Sequence, residues 1–467
     1  MPMTTTRDSE YLFPADPVTR GVARHLYESV ANAPIISPHG HVSPSLLIDD
    51  APFANPTDLL ITHDHYVTRA LHSAGYSFDD LGIGPSASAD PRAVWRILAD
   101  NWHRFAGTAS GDWLTREFAT LFDITEELSS ENADSTYDQI AATLREPDFR
   151  PRALFERFRI EVLATTDDPL DDLAHHATLA ADPTFQGRVL PTFRPDQYLD
   201  PETPNFADNI ERLLSATART STFQDYLAAL VDRRAYFIDH GAVSTDHGVL
   251  EPFTTELGAA DAERLFQSAL RGQLTPDEAR IFRGHMLFQM ASMSVNDGLV
   301  MTVHAGVRRN HHTATFESRG ADTGHDIPVR TEFTENLRPL LQRFGTAKDF
   351  HLVLFAVDET VYSRELAPLA GFYPSVYIGA PWWFLDAPDA MARWRSAVTE
   401  TAGFYRSSGF IDDTRAYCSI PVRHDVARRA DSGFLARLVT EGRVSLRTAE
   451  RISLDMVSTI PREVFKL

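Results

Sequence analysis

Two histidines, His39 and His41, stand two residues apart directly after the apolar stretch Ile35-Ile36-Ser37-Pro38. In an extended chain alternate residues project to the same side, so both imidazoles can meet at one point where a strand ends. Two imidazoles fixed in that way make half of a metal site. A second pair of the same spacing, His63-Asp64-His65, follows Asn55-Pro56-Thr57-Asp58, which reads as a helix start. On a helix, residues two apart point away from one another. With 18 histidines in the chain such pairs also arise by chance, so the strand-end position is what favours His39 and His41.

The remaining composition narrows the chemistry. A net charge of -21 argues against a nucleic-acid or anionic-membrane partner, so an anionic small substrate must be met by locally placed arginines. The single cysteine, Cys418, allows no internal disulfide and no zinc-finger spacing, and it suits a reducing compartment. No run of eighteen apolar residues and no targeting pattern is found, so a cytoplasmic protein is expected. Lys348 and Lys466 are the only lysines. Lys466 is penultimate, and Lys348 sits in a loop before an apolar strand, on its expected non-catalytic end. Schiff-base chemistry and a carbamylated lysine bridging two metals are therefore not expected.

These residues need a scaffold, and the chain supplies an alternating one. Residues 17–32 have helical periodicity and lead into a first strand at 34–37. Residues 55–158 read as helices without strand patterning, so an insertion of about 70–158 is expected after the first strand. Apolar runs of strand length then recur at 160–165, 188–192, 241–244, 299–303, 351–357, 375–378 and 409–411, separated by helical segments. One of these, after Thr275-Pro276, has the cap and first-turn proline of a helix start. Eight strands alternating with helices predict an α/β fold, a (β/α)8 TIM-type barrel with a helical insertion. A doubly wound open sheet is the alternative. The expected division is an N-terminal helical segment, 1–33, followed by a metal-dependent barrel, 34–467.

In a barrel of this kind the site lies where strands end. Those ends carry His39 and His41, Thr166-Asp167-Asp168, Arg194-Pro195-Asp196, Asp246-His247, His304, Asp358, Trp382-Trp383 and Asp412-Asp413-Thr414-Arg415. Helix capping accounts equally well for Asp167, Asp168 and Asp358, and core packing for the tryptophans. His39, His41, His304 and Asp413 form a ligand set for one divalent cation of the zinc type, with room left for water or substrate.

From about Pro34 to Arg428 the sequence resembles the uronate isomerases (glucuronate/galacturonate isomerase) of the amidohydrolase superfamily. The resemblance rests on His39-Gly40-His41 followed by His63-Asp64-His65-Tyr66, RFRIEVLATTDDP, VLPTFRPD, Asp246-His247-Gly248, VHAGVRRN, GADTGHD, WWF, and DDTR followed by Arg423-His424. Two departures stand out. An extra residue precedes Arg423 in Ile420-Pro421-Val422-Arg423-His424, and His311-His312 replace the usual asparagines, a change expected to bear on the substrate pocket. The resemblance implies interconversion of D-glucuronate with D-fructuronate and of D-galacturonate with D-tagaturonate. It assigns His39, His41 and Asp413 to the metal, Tyr66 and Arg415 to the catalytic pair, and His65, Arg194, Trp382 and Trp383 to the sugar pocket. One divalent ion is expected, zinc with manganese as the alternative, in a homo-oligomer.

Such an isomerisation moves one proton between C2 and C1 and another between two oxygens, through an enediol. Arg415, two residues beyond Asp413, is placed on the same face by strand spacing, where it could stabilise an oxyanion or depress the pKa of a phenol such as Tyr66. Tyr66, Asp413 and a metal-bound water all remain possible carriers of the C2 proton. A metal-dependent hydrolase or deaminase on the same fold is the rival reading, since the same ligands can activate water. A non-catalytic sugar-binding protein is the third, and it leaves the metal, tyrosine and arginine without a purpose.

Overall fold

The structure is a computed structural model that describes residues 10–84 and 88–467. The strands are β1 Ile35–Ser37, β2 Ile160–Ala164, β3 Arg188–Leu190, β4 Thr192–Phe193, β5 Ser244–Val249, β6 Val300–Ala305, β7 Val307–Arg308, β8 Ile327–Pro328, β9 Leu352–Ala356 and β10 Val376–Ile378. They form a sheet ordered β1-β2-β3, a second ordered β10-β9-β6-β5-β4, and a small pair β7-β8. Both larger sheets are parallel throughout. Pro191 separates β3 from β4, because a proline cannot donate to a ladder, and a bridge between Asp167 and Phe193 carries the pairing past it. Parallel strands in chain order, with helices between them, are the α/β arrangement that the alternation predicts and are consistent with a barrel.

The eighth position differs from expectation. Residues 409–411 form no ladder, because Gly409 takes a φ of 76° and breaks the extended run. The segment still fills the gap. Ser408 N donates to Ile378 O at 2.9 Å beside β10, and His41 N donates to Thr414 O at 3.0 Å beyond β1. The fourth expected strand also shifts, from 241–244 to Ser244–Val249, so Asp246 and His247 lie inside a strand and face opposite sides. The β7-β8 pair was not expected from sequence.

Apolar content explains the burial. Every residue of β9, Leu-Val-Leu-Phe-Ala, and of β6 is buried, as parallel strands covered on both faces require. Between β1 and β2 the described residues contain helices and no strand, among them His65–Ser73, Pro91–Asp100, Ala109–Phe122 and Ala133–Thr143. Their apolar faces share a core with Ile35 of β1 and Leu163 of β2 through Trp95, Phe118 and Phe149. The helix Pro17–Val30 packs on Ile420–Thr440, and Arg428 of the latter donates to the carbonyls of Ala31, Ala33 and Pro34. That clamp fixes the chain where it enters β1.

The long helix Pro276–Asp297 has the start chemistry read from its sequence. Thr275 and Glu278 form a capping box, Pro276 occupies the first turn, and Gly298 ends the helix with a φ of 84°. Thr275→Ala is expected to cost about 1 kcal/mol of stability with turnover unchanged, as read by denaturant titration and assay.

Candidate active site

Beyond β1 the backbone carries His39 and His41 into the mouth of the barrel, where Asp413 meets both. Asp413 Oδ1 lies 2.9 Å from His41 Nε2 and 3.4 Å from His39 Nε2, and Asp413 Oδ2 lies 4.0 Å from His304 Nε2. The His304 ring, from β6, stacks on His39 with centroids 4.6 Å apart. Asp413 Oδ1 and His304 Nε2 are buried and have no hydrogen-bond partner. Unpaired buried donors and acceptors are costly, and several of them facing one point suit a cation placed between them. His39, His304 and Asp413 offer ligand atoms that all lie within 4.8 Å of one another. His41 joins this group through Asp413, and its Nδ1 is held by Thr166 Oγ1 at 2.8 Å. The donor set fits a divalent metal ion.

Asp246, which the sequence reading left without a role, organises the floor. Its Oδ1 accepts from His304 Nδ1 at 2.7 Å, so the neutral ring turns a bare Nε2 toward Asp413. Its Oδ2 lies 3.4 Å from Arg194 Nε and 4.0 Å from His39 Nε2. Burial would raise this carboxyl, but His304, His39 and Arg194 outweigh it and hold Asp246 well below the usual carboxylate range. Asp413 is held low in the same way, against its own burial, by His39 and His41. Burial lowers His41 and His304, which keeps both imidazoles neutral, the form that binds metal. Asp246→Asn is expected to weaken metal binding by about ten- to a hundred-fold, measured by competition with a chelator, because the anion orienting His304 is lost. His247 faces the other side of β5, donating Nδ1–H to Thr302 O at 2.9 Å, and belongs to the packing.

Above the floor is a cavity of about 310 Å³ whose lining includes His65, Tyr66, Arg194, Trp382, Trp383, Asp413 and Arg415. A second hollow continues from it past His41, Arg194 and Arg415. Tyr66 stands in the first turn of the helix His65–Ser73, whose cap Asp64 accepts from Tyr66 N at 2.8 Å. Its ring stacks on His65, and burial lifts its phenol well above the usual range. The cation that opposes this lift is Arg423, which is fully buried and paired with Asp386. The depression of the phenol expected from Arg415 is thus not found, since burial outweighs the opposing cation. Burial, with Arg415 adding to it, brings His65 down to about 4, so that ring is neutral near pH 7.

Strand spacing does not extend through residues 413–415. Asp413 has a φ of 43°, and the turn sends Arg415 to the rim, where it pairs with Asp322 at 3.0 Å. Asn310, Asp322 and Trp383 also have left-handed backbone and line the same cavity. Non-glycine residues pay for that conformation in strain, which concentrates at functional sites.

The sequence matches the glucuronate isomerase family model over residues 3–461. The chain belongs to the glucuronate isomerase family. It is 53% identical to the uronate isomerase of Corynebacterium efficiens over 458 residues, 98% of each chain. Its structure superposes on the crystal structure of glucuronate isomerase from Caulobacter crescentus with a TM-score of 0.95 and 47% identity, covering 98% of this chain and 96% of that one. The uronate isomerase of Thermotoga maritima gives a TM-score of 0.92 at 26% identity, over 98% and 99% of the two chains. The chain is thus an isomerase, and the hydrolase or deaminase reading is not favoured.

Within this isomerase family member, the sequence reading gave no role to Arg309 and quoted Arg423 and His424 without their partners. Arg309 lies over the Trp383 ring at 4.6 Å and pairs with Asp326. Arg423 donates Nε–H to Asp386 at 2.7 Å in the loop behind the tryptophans, and His424 meets Asp412 at 3.1 Å, one residue before Asp413. Arg309 was visible only as part of VHAGVRRN. The Arg423–Asp386 pair spans 37 residues, with no local signal to reveal it. His311 and His312 are exposed, and neither lines the cavity of about 310 Å³.

Proposed function

We propose that this protein is an aldose–ketose isomerase that interconverts D-glucuronate with D-fructuronate and D-galacturonate with D-tagaturonate through an enediol. What carries the reading is the convergence of His39, His304 and Asp413 beneath a cavity walled by Tyr66, Arg415 and two tryptophans, in a chain of this family. One divalent ion, zinc or else manganese, would be held by His39, His304 and Asp413, with His41 completing the set. Bound there, it would supply Lewis acidity toward oxygens of the open-chain sugar acid.

The side chains divide the remaining work. Arg194 and Arg415 bind substrate oxygens and balance the charge that develops on them. Asp413, kept anionic by its histidines, takes the C2 proton and returns it to C1. The Tyr66 phenol, kept protonated by burial, gives its Oη hydrogen to one substrate oxygen and recovers one from the other. His65, Trp382 and Trp383 shape the pocket and exclude water. Residues 34–467 are taken as the catalytic unit and 1–33 as a helical segment preceding it. The single buried cysteine supports a reducing, cytoplasmic setting, and a homo-oligomer rests on the family resemblance. Among the described residues no helix is long and apolar enough to cross a membrane.

Incubation with D-glucuronate or D-galacturonate and zinc or manganese is expected to give the matching 2-keto sugar acid by NMR. No ketose with any metal, together with release of ammonia or acid from other compounds, would return the hydrolase to favour.

A further inference from the structure

In a chain with 65 acidic against 44 basic residues, an arginine without an anionic partner is out of place inside a cavity. Arg69 is such a residue. It lies one turn beyond Tyr66 on the helix His65–Ser73, half-buried, and its guanidinium makes no hydrogen bond or ion pair among the described residues. One face of it rests 4.7 Å over the Phe384 ring, which leaves the N–H groups along its edge available. Burial lowers its proton affinity, and the nearby Tyr66 and Asp326 offset that only in part. Its stem is fixed from the other side, since a Cβ on Gly324 would come within 2.7 Å of Arg69 Cβ.

Arg69 opens into a cavity of about 510 Å³ that is separated from the metal cluster by Tyr66 and Trp383, which line both hollows. Three histidines share it with Arg69. His312 Nδ1 faces Thr315 Oγ1 and His325 Nδ1 faces Thr323 Oγ1, each at 2.7 Å. With the threonine hydroxyls donating, both rings carry hydrogen on Nε2, and His325 Nε2 is buried with no partner. His72 is the reverse: Nδ1–H donates to Tyr76 O at 2.8 Å, so the neutral ring offers a bare Nε2 acceptor.

We propose that this cavity is a second ligand site, which binds the carboxylate of a polyhydroxy acid on Arg69 and its hydroxyls on His72, His312 and His325. A planar guanidinium fork matches a carboxylate, and the cavity's size suits a six-carbon acid. The acceptor on His72 takes a hydroxyl hydrogen of the acid. The choice of a sugar acid rests on the isomerase reading above.

The test counts bound D-gluconate on the metal-loaded full-length protein by calorimetry. This acid has a carboxylate and hydroxyls but no aldehyde or ketone, so it cannot be isomerised. Two equivalents per chain are expected, with phosphate displacing neither. Arg69→Met is expected to weaken one equivalent by at least about tenfold. Ser73→Phe, which fills the cavity from its exposed rim on the same helix, should do likewise, and it decides the matter if Arg69→Met does not fold. A single equivalent in the unaltered protein, two retained in the variants, or displacement of the second equivalent by phosphate each overturns the proposal. Ketose formation by the same preparation keeps the two readings apart. Activity with one equivalent overturns only the second site, whereas two equivalents without activity overturn the isomerase and leave the site.

Discussion

Asp413→Asn should yield a folded protein that holds less than one equivalent of metal and turns over about a hundred- to a thousand-fold more slowly. The expectation of intact folding comes from the backbone. Asp413 has a φ of 43°, and asparagine is among the few residues that tolerate the left-handed region, so the substitution removes charge with little added strain. What is lost is the anion that faces His39 and His41 at 3.4 and 2.9 Å and the carboxylate proposed as the base at C2. A lost electrostatic partner in a water-excluded site costs about 3–4 kcal/mol of barrier. Metal analysis and kcat should therefore fall together, and adding excess zinc should restore occupancy better than rate. A metal-loaded variant with more than about a tenth of normal turnover would remove Asp413 from the chemistry.

The same residue shows where sequence reasoning reaches and where it stops. His39 and His41 were legible because spacing after an apolar strand is local, and chain alternation made the barrel legible for the same reason. Asp246 was not, because its meaning lies in His304, 58 residues away on the neighbouring strand. Its neighbour His247 looked equivalent in sequence, yet strand alternation turns it to the other face. The eighth strand and the expected alignment of Arg415 with Asp413 failed for one reason. Gly409 and Asp413 both adopt positive φ, which hydrophobic pattern does not encode.

Burial also reorders the electrostatics in a way that residue types alone do not disclose. Arg423, Asp386, Asp412 and His424 are all buried behind the cavity, where Arg423, partly offset by its partner Asp386, opposes the burial that lifts the Tyr66 phenol. That arrangement leaves Arg415, at the open rim, free of the duty of tuning the phenol. The role proposed for it is then direct contact with substrate.

Arg415→Met puts this to the test, because the residue has an ordinary structural reading as well. Its pair with Asp322 lies at the rim with side chains 40% and 39% exposed. Such a pair is typically worth about 0–1 kcal/mol, and breaking it should leave turnover nearly intact if it is all that Arg415 does. If Arg415 balances charge on the enediol in a closed site, its loss costs about 3–4 kcal/mol, on the order of a hundred- to a thousand-fold in kcat. The second outcome is expected, with metal content unchanged because Arg415 is no ligand. Asp322→Asn is the matched control, since it breaks the same ion pair but keeps the guanidinium, and it should change kcat by less than about fivefold. Equal losses in the two variants would assign Arg415 to the rim pair. A large loss in Arg415→Met alone, at full metal loading, would place its guanidinium on the reacting sugar.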